Sequence, residues 1–420
     1  MALDAVSTTF ALTLSAPPAT QVVSVPGVTP KVVLFAWTQA TSLDTQLNTV
    51  RYGMGLMQSA TKRGAITGWI QDNASPANQG SVTVDDACIS YWANASQVGA
   101  MDFSAFGSGS FTIIVDDAVP QAYQVHALAL GGAELEANVF FFKASTGTGN
   151  ESFAHGLSAA PEVCLFFASL TPTLGVHRDH QTTTTGWATR DGTQAVTATH
   201  GRDDPGPVTL AGNITKDTRC VVGLDGWTGN IEHELRYVSA DATTITLERV
   251  INNSQPQVLC LAMRGLSARA GTTQARTDTN TISIPSPGFT SRVMLAMSTG
   301  NPVASETVKS APARHSFGWA TGAGGVSVAF FDQDGIDPSD AACWTSATRL
   351  VQKWNRTGTD TWVDGGSLDV DSLAGAPVLD MLIADSQTTL IPYLILGDVA
   401  PVGIHSKLIG KLGGKLAGKV

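Results

Sequence analysis

Apolar residues along the chain come in runs of four to eight, separated by clusters of Gly, Pro, Asn, Asp and Thr, and few windows sustain a 3.6-residue period. Runs of that length bounded by turn formers predict strands and turns rather than helices. In the first third they predict strands at 10–14, 21–25, 32–37, 110–115 and 123–130. In the last third they predict strands in the same order at 281–284, 293–297, 326–331, 378–383 and 390–396.

The order recurs because the sequence does. KVVLFAWT, beginning at Lys31, returns as EVCLFFAS from Glu162 and RVMLAMST from Arg292, at offsets of 131 and 130 residues. GLMQ from Gly55 returns as GWAT from Gly186 and again from Gly318, at offsets of 131 and 132. ALALGG from Ala127 returns as CLAMRG from Cys260 and YLILGD from Tyr393, both steps being 133. Three markers holding one period in one order imply three tandem copies of one domain. The expected fold is all-β: antiparallel β-sandwiches of jelly-roll type at 1–132, 133–266 and 267–402, then a basic tail at 403–420. Each unit is large enough to bury a core of its own. The joins at 131–134 and 264–268 are short, which suits either a semi-rigid row or a compact pseudo-threefold cluster.

Composition narrows the function. Only 14% of the 420 residues are charged, against about 25% in an ordinary soluble domain, and 42 are Gly, as expected of a turn-rich β protein. The net charge of −10 and the absence of a basic stripe within the units argue against nucleic acid as partner. The first thirty residues hold no Lys or Arg, so no secretion signal is expected, and no uncharged apolar run approaches the length of a membrane span. Cys88, Cys164, Cys220, Cys260 and Cys343 form no C-x-x-C pair and read as buried free thiols, which fits assembly in a reducing cytoplasm.

The tail has the opposite character. Lys407, Lys411, Lys415 and Lys419 alternate with Leu408, Leu412, Leu416 and Val420 at a four-residue spacing. Without those four lysines, 21 of the 25 basic residues face 35 acidic ones, leaving a body of −14. Its glycines make the tail a poor helix, but as a strand it puts the lysines on one face and the apolar residues on the other. These eight residues are the expected docking element, joining a neighbouring subunit or shell by strand addition. A flexible solubilising tail and a membrane-surface segment are the competing readings.

Other constellations carry less. The phosphate-loop-like run from Gly413 to Lys419 ends at Val420, with no hydroxyl for magnesium and no following helix. His177, Asp179 and His180 lie in a Thr-rich loop that the sister copies do not repeat, and a third and fourth metal ligand are not evident. Asp332, Asp334, Asp337 and Asp340 have calcium-like spacing, but Gly335 falls at the fourth position rather than the sixth. Asp102, Asp116, Asp117, Asp225, Glu232, Asp369 and Asp371 could pair across strands, yet none is uniquely placed for glycoside hydrolysis. Trp187 and Trp319 occupy the position of Leu56 and read as core, whereas Trp92, Trp227, Trp344, Trp354 and Trp362 are the better candidates for surface contacts, although core packing is favoured over recognition for any one of them. No catalytic residue, metal or cofactor is expected.

The opening TPKVVLF from Thr29, the GWAT landmark and the closing LALGG resemble the repeat unit of tailed-bacteriophage virion proteins, over about residues 6–398. The second and third copies lack Pro-Lys before the strand, and the third ends in Gly-Asp. The resemblance implies a non-enzymatic structural protein, a head decoration, fibre or tail component. Its expected partners are other virion proteins, capsid or tail subunits, in a symmetric homo-oligomeric assembly built in the host cytoplasm. A host-surface or carbohydrate-binding fibre module, with a host glycan as partner, is the alternative reading; a polysaccharide depolymerase is the third.

Overall fold

The computed structural model describes residues 2–203, 209–304, 309–310 and 312–399. All regular structure among them is β. The docking residues Lys407, Leu408, Lys411, Leu412, Lys415, Leu416, Lys419 and Val420 lie outside the described residues.

The strands form three pairs of antiparallel sheets, each a seven-stranded inner sheet against a four-stranded outer one. In the first pair the inner order is Asp4–Ala11, Gln124–Gly131, Pro30–Thr38, Val50–Ser59, Lys62–Ile70, Gln79–Val84. The outer order is Ala19–Ser24, Ser110–Asp117, Ser96–Gly107, Ile89–Ala93. The second and third pairs repeat this topology. The jelly-roll expectation holds only for the outermost strands, which alternate between sheets; the middle of each unit is two meanders, 50–84 in one sheet and 89–117 in the other. The first predicted strand, at 10–14, lies earlier, at Asp4–Ala11.

The seventh inner strand always comes from another unit. Arg178–Asp179 of the second unit pairs with Ser81 and Gly80 of the first. Lys309–Ser310 of the third pairs with Asn213 and Gly212 of the second. Leu47–Asn48 of the first pairs with Cys343 and Ala342 of the third. The exchange is cyclic, so the units close into a ring rather than a row. Two of its junctions coincide with covalent linkers; the seam between units three and one has none.

Each exchanged arm is latched in the same way. Thr38 and Thr345 hydroxyls meet at 2.6 Å, Ser169 and Thr83 at 2.8 Å, and Thr299 and Thr215 at 2.6 Å. The arm then turns sharply back into its own sheet. Thr49 and His180, at equivalent positions, take φ of 67° and 99°, a conformation costly for a side chain with Cβ and tolerated because the strands on both sides are fixed.

Ring closure explains the continuous apolar runs. One face of each inner sheet packs on its own outer sheet, giving three separate cores. The other face packs on its counterparts in a fourth core that draws on all three units, with Leu34, Leu56, Leu165, Trp187, Leu295 and Trp319 among its members. Strands buried on both faces read as uninterrupted hydrophobic segments. The expectation that each unit would bury a core of its own is therefore incomplete: a large apolar face of every unit is covered only by the other two.

The landmark glycine has a steric cause. A Cβ at Gly55, Gly186 or Gly318 would lie 1.9, 2.2 or 2.2 Å from the carbonyl oxygen of Cys88, Cys220 or Leu350. Gly186→Ala is expected to cost about 1–3 kcal/mol by forcing the two sheets apart, read as a lower urea midpoint with unchanged m-value.

Candidate functional site at the pseudo-threefold axis

Strands Val50–Ser59, Gln181–Thr189 and Ala313–Ala320 bring equivalent residues together in layers. Leu56, Trp187 and Trp319 form an apolar layer, fully buried. Next, Thr185 donates to Met54 Sδ at 3.3 Å and meets His315 Nε2 at 3.4 Å, beside Phe317. In the third layer the Tyr52 and Thr183 hydroxyls bond each other, and Gln181 Nε2 donates to Tyr52 at 2.7 Å, to Thr183 at 2.9 Å and to Thr199 at 3.1 Å. Burial pushes the Tyr52 phenol well above its ordinary value, opposed by the Thr183 and Gln181 hydrogen bonds. Burial also holds His315 down to about 3, so its ring is neutral. Three different side chains at one symmetric position make a network that fits only one ordering of the units, a way for buried polar groups to fix register. Tyr52→Phe should cost about 1–2 kcal/mol, because Thr183 and Gln181 lose a buried partner; chemical denaturation of the full chain reads it.

At the end of this column the equivalent positions are Ile70, Gly201 and Asp332. Asp332 is fully buried, and its Oδ2 accepts from Gln79 Nε2 of the first unit at 2.8 Å. Asp332 Oδ1 and Gln79 Oε1 have no hydrogen-bond partner among the described residues. Gly201 leaves the space they use: a Cβ there would lie 1.9 Å from Gln79 Oε1 and 2.9 Å from Asp332 Oδ2. Burial, and then the neighbouring Asp334, Asp340 and Asp72, push the Asp332 carboxyl up to about 8 against the Gln79 hydrogen bond.

Around this point the loops of the three units interlock. Asn73 N donates to Ser339 O at 2.8 Å and Ser339 N to Ala74 O at 3.0 Å, joining units one and three. Thr209 N donates to Ile336 O at 2.7 Å and Gly335 N to Thr209 O at 2.9 Å, joining two and three. The run from Asp332 to Asp340 is thus an inter-unit connector. Asp334 Oδ1 accepts from Ala211 N at 2.9 Å. Asp340 converges instead with Asp72 and Asp360, their oxygens within 4.8 Å of one another, the one such carboxylate group among the described residues. Burial, the largest cause, raises Asp72 to about 6, with Asp360 and Asp340 contributing. The set could share a proton or bracket a cation. Arg356 already bonds Asp340, and Asn48 Nδ2 donates to Asp360 at 3.0 Å, so donors from the protein serve it.

The other sequence candidates separate. His177 lies 3.5 Å from Asp179 and beside Trp69 and Trp92, whereas His180 is buried and accepts from Asp203 N at 2.9 Å. The two imidazoles serve different contacts. Asp102 is paired with Arg63 and Asp225 with Thr228 and Arg178. Asp369 accepts from its neighbour's amide, Val370 N, at 2.8 Å. Of the surface candidates, Trp92, Trp344 and Trp362 are buried, as the favoured core reading had it, and Trp344 stacks on Trp354 at 4.4 Å with Trp362 at its edge. Trp227 is the exposed one, 52% accessible, with the Arg202 guanidinium 4.4 Å from its ring centre. Trp187 and Trp319 are core, as read. All five cysteines are buried free thiols. Among the described residues no helix is long and apolar enough to cross a membrane.

Tyr52, Asp72, Gln79, Gly201 and Asp360 were not legible as site residues. Asp332 had one usable signal, a carboxylate interrupting the inward apolar positions of a strand whose sister copies carry Ile70 and Gly201 there. No family model matches the chain, and no curated protein matches it.

Proposed function

We propose that the chain is a non-enzymatic structural protein of a tailed-bacteriophage particle, exposed on the particle surface and fixed there by residues 403–420. The observation that supports this most is the cyclic strand exchange: one chain builds a closed ring whose buried polar groups are engaged in holding units together. Such a body suits a rigid part of a symmetric assembly of capsid or tail subunits. The described chain ends just past Asp398, which binds Arg292 at 2.8 Å and the Leu3 amide at 2.9 Å. That end of the ring is opposite the Asp332 loops. In this reading the tail, of opposite charge to the body, continues from that end, which would then be the one turned toward the particle. Deleting residues 403–420 is expected to abolish co-purification with particles while leaving the urea midpoint unchanged; incorporation at the full-length level would refute the anchoring role.

A second reading rests on Trp227. An exposed indole beside a guanidinium is a platform on which a sugar ring can stack, as a host-glycan-binding module requires. Glycan-array binding by the full chain that disappears in Trp227→Ala would favour it.

A further inference from the structure

We propose that the seam between the third and first units is held shut by a proton on Asp332, and that it loosens when this proton passes to solvent. This goes beyond the structural role and does not depend on it.

The geometry carries the inference. Asp332 is fully buried where all three units meet, and among the described residues no Lys, Arg or His donates to it. Among the described residues its one hydrogen-bond donor is a neutral amide from across the seam, Gln79 Nε2. A buried carboxylate without a cation is strongly disfavoured, so the group stays protonated while the site is closed. Two buried acceptors, Asp332 Oδ1 and Gln79 Oε1, lack donors among the described residues; a carboxyl proton supplies one there. The charged groups that act on it most are acidic: Asp334 and Asp340 from the adjoining loop of its own unit, and Asp72 from the first unit; Asp203 of the second unit accepts from Gln79 N at 2.7 Å. Arg356 neutralises Asp340 rather than Asp332. Ionisation would thus place an unpaired negative charge among other carboxylates, at the one junction that no linker holds. The sister junctions carry Ile70 and Gly201 at the equivalent position and have no such group.

The sign follows from linkage. Asp332 titrates near 8 in the closed ring and at about 3.9 once exposed, so opening releases a proton between those values and becomes easier as pH rises. Asp72, at about 6, adds to the slope only at lower pH. The buried histidines His126, His200, His233 and His315, held down to about 3–4, favour opening only as pH falls below about 6.5. The interval from about 6.5 to 8 therefore isolates Asp332.

Hydrogen exchange of the full chain in EDTA, corrected for intrinsic rates, tests this at the Leu47–Asn48 pairing with Ala342 and Cys343. The opening constant there is expected to rise about tenfold per pH unit from 6.5 and to flatten as pH nears 8, while the Arg178–Asp179 pairing with Gly80 and Ser81 stays level. Asp332→Asn, which keeps the neutral shape, should flatten the response. A level seam in the wild-type chain, an equal rise at both junctions, or an unchanged slope in Asp332→Asn would overturn the proposal. The two wild-type outcomes stand even if the variant does not fold.

Discussion

Trp319→Ala is expected to destabilise the whole ring by about 3–5 kcal/mol. The indole is fully buried in the shared core, 5.9 Å from Phe317 and 6.4 Å from His126, and its Nε1 donates to Ser7 of the first unit at 3.0 Å. Truncation removes one of the two indoles of its layer and strips Ser7 of that donor, and the rigid β frame around it cannot collapse to fill the void. Because the first and third units meet here without a linker, the loss should also appear as faster exchange at the Leu47–Asn48 pairing. Trp227→Ala, at the exposed indole, is the control and should stay within about 0.5 kcal/mol of wild type. Equal urea midpoints for the two variants would contradict a shared axial core.

Lys353→Met is expected to cost a similar amount, about 3–5 kcal/mol. The ammonium is almost fully buried and donates to Asp385 Oδ1 at 2.6 Å, Thr389 Oγ1 at 3.0 Å and Gln387 Oε1 at 3.1 Å. Burial alone would raise the Asp385 carboxyl, but hydrogen bonds from Lys353, Thr389 and Gln387 hold it below its ordinary value. A carboxylate depressed in this way contributes stability above the unfolded pKa of about 3.9 that is lost as pH falls through the folded one. Removing Lys353 leaves that charge uncompensated in a site almost closed to solvent. Replacing both partners, as in Lys353→Met with Asp385→Leu, should recover most of the loss, since the desolvated charge is then gone too. A double variant as unstable as the single one would show that the ion pair is not the cause.

Much of this architecture is legible in the sequence because burial on two faces leaves a strong mark. The runs at Lys31, Glu162 and Arg292 are continuous rather than alternating, and the strand Pro30–Thr38 is buried at every position but Lys31. Outer strands such as Ser110–Asp117 alternate along most of their length, as a sheet with one solvated face must. The landmark glycines are equally legible, since each faces a carbonyl that admits no Cβ. The exchange strands leave no such mark. Leu47–Asn48, Arg178–Asp179 and Lys309–Ser310 share no residue type because the pairing uses only backbone groups, which every residue but proline supplies in full. The hydroxyl latches are repeated, but Ser and Thr are too common in the chain for three pairs to stand out. The axial site was hidden for another reason: Tyr52, Thr183 and His315 are unlike one another, and only their symmetry-related placement shows that they meet. Irregular spacing does not mark exposure among the tryptophans: Trp344, Trp354 and Trp362 pack together in the third unit.

Closure of the ring is tested most directly by a disulfide across the seam without a linker. Thr38 and Thr345, 307 residues apart, have hydroxyls 2.6 Å from each other. The double variant Thr38→Cys, Thr345→Cys should form a 38–345 disulfide within single chains under mild oxidation, identified by peptide mapping. A row of units would hold these positions far apart. Free thiols at both sites in the folded chain, or bonds only between two chains, would contradict the ring.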